Sequence, residues 1–154
     1  RFLLKEVITY PTPVEELEVL NRIDMANRSE VVATPITLPD VLTLQDACRR
    51  VFVHETLKAY IVDIVNTTRG AGPTVAGLEQ ARARRRVPAW QHCAHADLPA
   101  IALMSGRNHV MPDDIKAMRY GILRHRIIRT FDALADNVSI EGLIDAVFNA
   151  VPVP

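Results

Sequence analysis

The side chains with the most reactive chemistry in this 154-residue chain gather between residues 82 and 95. Arg82, Arg84, Arg85 and Arg86 form a basic run, and Trp90 follows closely. Clustered guanidinium groups bind phosphate and an indole stacks on a base, so this spacing carries the case for nucleic acid. No nucleic-acid fold signature accompanies it, and a solvated basic loop is the preferred reading. His92, Cys93 and His95 add imidazole and thiolate, which are zinc ligands. Ligands one or two residues apart need a second pair elsewhere, and His54, His109 and His125 show no convergent spacing, so no metal site is expected. His54 has no second ligand at helical spacing and reads as structural.

Composition narrows the field further. Hydrophobic residues make up 49% of the chain, enough for one core, and formal net charge is zero with an isoelectric point near 7.1. No bulk field draws the chain to nucleic acid or an anionic membrane. Cys48 and Cys93 are too few for a disulfide framework, and there is no basic-then-apolar leader or long apolar span, so a cytoplasmic protein is expected. The chain starts with Arg1 and carries no Gly-x-x-x-x-Gly-Lys-Ser/Thr loop; it reads as a fragment that is not an ATPase by itself.

The elements that would position these groups are mostly helical. Phe2 to Thr9, bounded by Pro11 and Pro13, reads as a short strand. Thr12 caps a helix from Pro13 to about Asn27, with Val14, Leu17, Leu20 and Ile23 as its buried face. After a connector over 28–38, Pro39 and Asp40 open a second helix facing Val41, Leu44, Ala47, Cys48 and Val51 inward. A third begins at His54 or Glu55, buries Leu57, Tyr60, Ile61, Ile64 and Val65, and stops near Arg69-Gly70. Residues 72–96 are atypical, with glycines, the arginine run and no clean periodicity. An apolar helical face resumes over Pro99–Leu103 and ends at Ser105-Gly106.

A single long helix is then predicted from Pro112, with Asp113 and Asp114 in its first turn, Ile115, Met118, Ile122 and Leu123 inward, and Arg124, His125 and Arg126 against its C-terminal dipole. Met111 lacks a capping side chain, a loss of about 1 kcal/mol. Thr130 to Asn137 reads as a connector, and Ser139 caps a last helix burying Leu143, Ile144, Val147 and Phe148. The fold class is mainly α: a short N-terminal strand and a helical bundle.

The wording Ser105-Gly-Arg-Asn-His-Val-Met-Pro-Asp-Asp-Ile-Lys-Ala117, followed by Leu123-Arg-His-Arg-Ile127, resembles the lid domain of the MoxR family of AAA+ ATPases. Arg1-Phe-Leu-Leu-Lys5, Tyr10-Pro11 and Glu15-Glu-Leu-Glu18 resemble the family's exit from its ATPase core into the lid. Val51-Phe-Val-His54, Tyr60-Ile-Val-Asp-Ile-Val65, Thr68-Arg69 and Ala150 to Pro154 extend the likeness to nearly the whole chain except about 72–96. The resemblance implies that residues 1–11 end the ATPase core and 12–154 form the lid. It implies ATP and Mg2+ in a full-length parent, a homo-oligomeric ring, and chaperone-like remodelling of a client protein. Arg1 matches the position of a candidate arginine finger reaching a neighbouring subunit's ATP. No membrane partner is expected.

At the atypical stretch the family carries a Gly-Ala-Ser-Pro-Arg motif whose arginine resembles the sensor-2 residue at the terminal phosphate; the chain as written lacks it. Reading codons for this stretch from their third base turns Trp90-Gln91 into Ala and His92-Cys93 into Leu, whatever the codons used. The same shift permits Gly-Ala-Ser-Pro-Arg-Ala-Ser-Leu-Ala-Thr-Leu-Arg-Ala. Residues 82–97 therefore read as a candidate frame-shifted segment, which the coding DNA decides.

Overall fold

The core is built where helical periodicity is cleanest, on the third and last helices. The computed structural model describes residues 3–26, 35–75, 78, 81–83 and 89–154, with the backbone alone for 24–26, 81–83 and 89–96. Its elements are α1 (Pro13–Ala26), α2 (Leu38–Arg49), α3 (Glu55–Thr68), β1 (Ala81–Ala83), α4 (Ala89–Met104), α5 (Pro112–Ala117), α6 (Arg119–Leu123), β2 (Ile127–Arg129), α7 (Phe131–Ala135) and α8 (Ile140–Ala150). The mainly α class expected from the sequence is what is found.

His54 caps α3, its ring nitrogen accepting the Thr56 N–H at 3.2 Å, which gives this histidine a structural task. Leu57, Tyr60, Ile61, Ile64 and Val65 then recur on one face and are all buried. Gly70, at a φ of +76°, ends the helix: its N–H reaches the Thr67 carbonyl and that of Ala71 the Asn66 carbonyl, both at 3.0 Å. Ser139 caps α8 through the Gly142 N–H at 2.9 Å, and Leu143, Ile144, Val147 and Phe148 are buried as the spacing requires. Phe148 meets Tyr60 edge to face, with centroids 6.5 Å apart. Leu98 and Ala102 of α4, Ile115 of α5, Ile122 and Leu123 of α6 and Ile127 of β2 complete this core.

Several expectations change. The strand expected over 2–9 forms no ladder: residues 4–12 have no regular secondary structure, and the Lys5 N–H is instead given to the Gly121 carbonyl at 2.8 Å. A strand needs a neighbour for its alternate N–H and C=O groups, and no described strand lies beside this one. Strand structure occurs elsewhere, where β1 pairs antiparallel with β2, Ala81 opposite Arg129 and Ala83 opposite Ile127. The expected connector over 130–137 contains β2's exit and α7, which Thr130 caps through the Ala133 N–H at 3.3 Å. Helix α4 begins at Ala89, ten residues before the apolar run that announces it, and carries Pro99 inside.

The long helix from Pro112 is two helices. The Arg119 guanidinium takes the Lys116 carbonyl at 2.8 Å, a group that an unbroken helix offers to the N–H four residues on. The chain turns at Met118 and restarts as α6.

Helix α1 forms as expected, capped by Thr12, whose own N–H reaches Glu15 at 2.7 Å. Its apolar face is not buried: Val14, Leu17, Leu20 and Ile23 are 77%, 58%, 60% and 61% exposed. Helix α2, capped by Thr37 and Asp40 reciprocally, also has no buried residue, with Val41 and Leu44 exposed and Ala47 and Cys48 half-buried. Apolar periodicity specifies which face wants cover; it does not say that this chain supplies it.

Candidate functional site

Two polar networks organise the segment 105–145. The first begins where Gly106, at a φ of +73°, ends α4; its N–H bonds the Leu103 carbonyl and that of Arg107 the Ala102 carbonyl, at 2.9 and 2.8 Å. This turn delivers Arg107 to Asp114, a bidentate pair at 2.9 and 2.6 Å with the carboxylate almost wholly buried. Asp114 also accepts the Met111 N–H at 2.8 Å, so the missing cap at Met111 is partly made good by the residue three positions on. Burial works to raise the Asp114 pKa, but the Arg107 and Met111 hydrogen bonds and the Arg107 charge outweigh it and hold the carboxyl below its ordinary value. The loop is tied across the fold as well. Phe52 N–H donates to the Asn108 carbonyl at 2.9 Å and Val110 N–H to the Phe52 carbonyl at 3.0 Å.

The second network fastens α6 to α8. Tyr120 Oη donates to Asp145 at 2.7 Å, Arg119 Nε to the same carboxylate at 2.9 Å, and Arg119 lies over the Tyr120 ring, 4.1 Å from its centroid. The Tyr120 hydrogen bond, and then Arg119, lower the Asp145 pKa against a smaller opposing effect of burial. Arg124 Nε reaches Glu141 at 2.7 Å, so this arginine serves an ion pair with α8 rather than the helix dipole alone. Arg126 does meet the end of α6: its guanidinium bonds the Ile122 carbonyl, and also the Leu3 carbonyl at 3.1 Å. A cavity of about 400 Å³ opens beside this network, lined by Lys116, Arg119, Asp145, Phe148 and Asn149.

These groups neutralise one another and hold helices in register. No activated nucleophile and base stand together in either network, and among the described residues no group of three or more histidine, cysteine or acidic side chains lies placed to hold a metal ion. Arg1, the candidate arginine finger, and Arg84, Arg85 and Arg86 lie outside the described residues. Arg82 is placed by its backbone in β1, opposite Ile128, so the basic stretch is in part a strand rather than a loop. Trp90, His92, Cys93 and His95 fall in the first two turns of α4, their side chains outside the description. Among the described residues no helix is long and apolar enough to cross a membrane. Among the described residues, α1 leaves its apolar face exposed, whereas α2 packs against α4 and keeps Val41 and Leu44 at the surface.

Sequence reasoning placed Asp114 only against the helix dipole and missed its pairing with Arg107. The available signal was position: three residues after the N-cap is where a capping-box carboxylate sits. The Tyr120–Asp145 link had no local signal, because its partners are 25 residues apart.

Comparisons with known proteins agree with this geometry. The AAA lid domain family matches residues 89–147. Chaperone MoxR1 of Mycobacterium tuberculosis is 33% identical over 159 residues, spanning all of this chain and 41% of that protein. An uncharacterised protein of Bacillus subtilis, YeaC, is 30% identical over 154 residues, covering all of this chain and 46% of the relative. A crystal structure of a candidate ATPase from Cytophaga hutchinsonii superposes with a TM-score of 0.88 at 28% identity, over all of this chain and 47% of that one. The chain thus spans less than half the length of the relatives it matches. A helical bundle that matches the AAA lid through 89–147 and, over its own whole length, 41% of a MoxR chaperone belongs to the MoxR family of AAA+ ATPases, and what it holds is that family's lid.

Proposed function

We propose that this lid couples ATP binding and hydrolysis in a longer parent to remodelling or maturation of partner proteins. The observation that carries the reading is the likeness, over all of this chain and 41% of that protein, to a named chaperone of the family, joined to a bundle whose α1 face is open for a neighbouring body. Residues 1–11 would end the ATPase core and 12–154 form the lid. The partners are that core, neighbouring subunits of a homo-oligomeric ring and a client protein, in the cytoplasm.

ATP and Mg2+ belong to the parent. The residues present do not fit a nucleotide site by themselves: the chain has no glycine-rich phosphate loop, and the described residues bring no acidic cluster together for the metal. No phosphate chemistry is assigned to them. In the parent the nucleotide supplies the energy, and the lid's own part is to stay rigid through the Arg107–Asp114 and Tyr120–Asp145 ties while its exposed helices follow the core. Arg1 would stabilise charge on the phosphoryl group in transfer at a neighbouring subunit.

The test is ATP turnover by the longer gene product in Mg2+, with and without Arg1→Ala. Turnover that falls by roughly 10³-fold in the variant supports the arginine-finger assignment. A parent that neither binds nor hydrolyses ATP overturns the coupling role. Sequencing the coding DNA through 82–97 is read alongside: codons compatible with Gly-Ala-Ser-Pro-Arg in the shifted frame restore a nucleotide-sensing arginine, and incompatible codons remove it.

A further inference from the structure

Leu3 and Lys5 are fastened to the far end of α6, and the fastening is more than helix capping needs. Arg126 is 7% exposed, and among the contacts of its guanidinium are two carbonyls: Ile122 at the end of α6, and Leu3, 123 residues away in the chain at 3.1 Å. Satisfying the helix end requires the Ile122 bond alone. The second bond captures a different segment. Lys5 repeats the capture by giving its N–H to the Gly121 carbonyl at 2.8 Å, and the Leu3 side chain packs on the core. Past Lys5 the chain is released, with residues 6–12 exposed and Ile8 93% so.

We propose that Arg126 is a positioning residue, a pin that joins the strap formed by residues 3–5 to the turn between α6 and β2. The strap and the last helix are then placed together. The turn is already bound to α8 through Arg124–Glu141 at 2.7 Å and, one turn of helix earlier, through Tyr120–Asp145 at 2.7 Å. A pull on the strap therefore reaches α8 through a short, hydrogen-bonded path. The planar guanidinium suits this place because its fork addresses two carbonyls in fixed directions, which an ammonium does not. The use of this path for transmission rests on the lid reading above, in which the strap leads to an upstream body that moves; the joint itself does not.

The experiment measures the distance between nitroxide labels at Leu4→Cys, on the strap, and Asn149→Cys in the 154-residue chain, on a Cys48→Ser, Cys93→Ser background. One narrow population is expected. Arg126→Met and, separately, Lys5→Pro should each replace it with a broad one, and Arg126→Lys should rescue only in part. Lys5→Pro lies outside the core, so it decides the matter should Arg126→Met fail to fold by circular dichroism. A narrow population retained in Lys5→Pro and in any folded Arg126→Met overturns the pin. The same substitutions in the longer parent separate the two readings. Absent ATP turnover in the unsubstituted parent sinks the lid's coupling role while leaving the label result intact. An ATP-driven distance change that survives both substitutions shows that the path does not transmit, and overturns that half of the proposal.

Discussion

Asp114 shows how one carboxylate can settle a local structure. It is 5% exposed, binds Arg107 through two oxygens and receives the Met111 N–H, and its pKa is lowered despite burial. A depressed folded pKa stabilises the fold fully above the ordinary value of 3.8, and this stability is lost as pH falls through the lower folded value. Asp114→Asn should cost about 2–3 kcal/mol at pH 7 by urea unfolding, and less as the pH falls below 3.8, since the native group then loses its charge as well. A gap that stays constant with pH would show that shape, not charge, is what matters there. Tyr60 makes the opposite case. Its hydroxyl is buried with no hydrogen-bond partner among the described residues, and burial pushes the phenol pKa up. Tyr60→Phe should therefore be neutral or stabilise by up to about 1 kcal/mol, and a loss greater than that in thermal melting would reveal a partner for the oxygen.

Among elements, those that close on nearby residues were legible and those that depend on distant groups were not. The faces of α3 and α8 and the caps at Thr12 and Ser139 follow from spacing, because one helical turn contains every group involved. The break at Met118 does not, since it turns on where one arginine sends its guanidinium. The ladder of Ala81–Ala83 with Ile127–Arg129 joins segments that local pattern cannot relate. Exposure is the other gap, and it divides the mutational response. Ile144→Ala in α8, wholly buried, should cost about 2–5 kcal/mol. Leu17→Gln with Leu20→Gln on α1 should change the stability of this chain by about 0.5 kcal/mol or less, and should weaken the longer parent if the ATPase core covers that face. Unfolding of both variants in both proteins checks the pair of statements.

For the whole molecule, family wording reached further than chemistry. The motif through 105–127 coincides with the lid match, whereas the side chains of the most reactive-looking residues, Arg82 to His95, lie outside the described residues. Reactivity is a property of single side chains, and a lid works by holding many ordinary ones still. The crossing at Phe52 illustrates this. Its N–H and carbonyl are both engaged with the 108–110 loop, so two connecting segments are tied by a pair of hydrogen bonds although the Phe52 side chain stays exposed. In deuterium exchange, the Phe52 and Val110 amides should therefore persist like helix interiors while the loop residues around them are replaced quickly, and they should let go only when the two connectors part. Their exchange would serve as a clock for the moment at which the lid ceases to move as one piece.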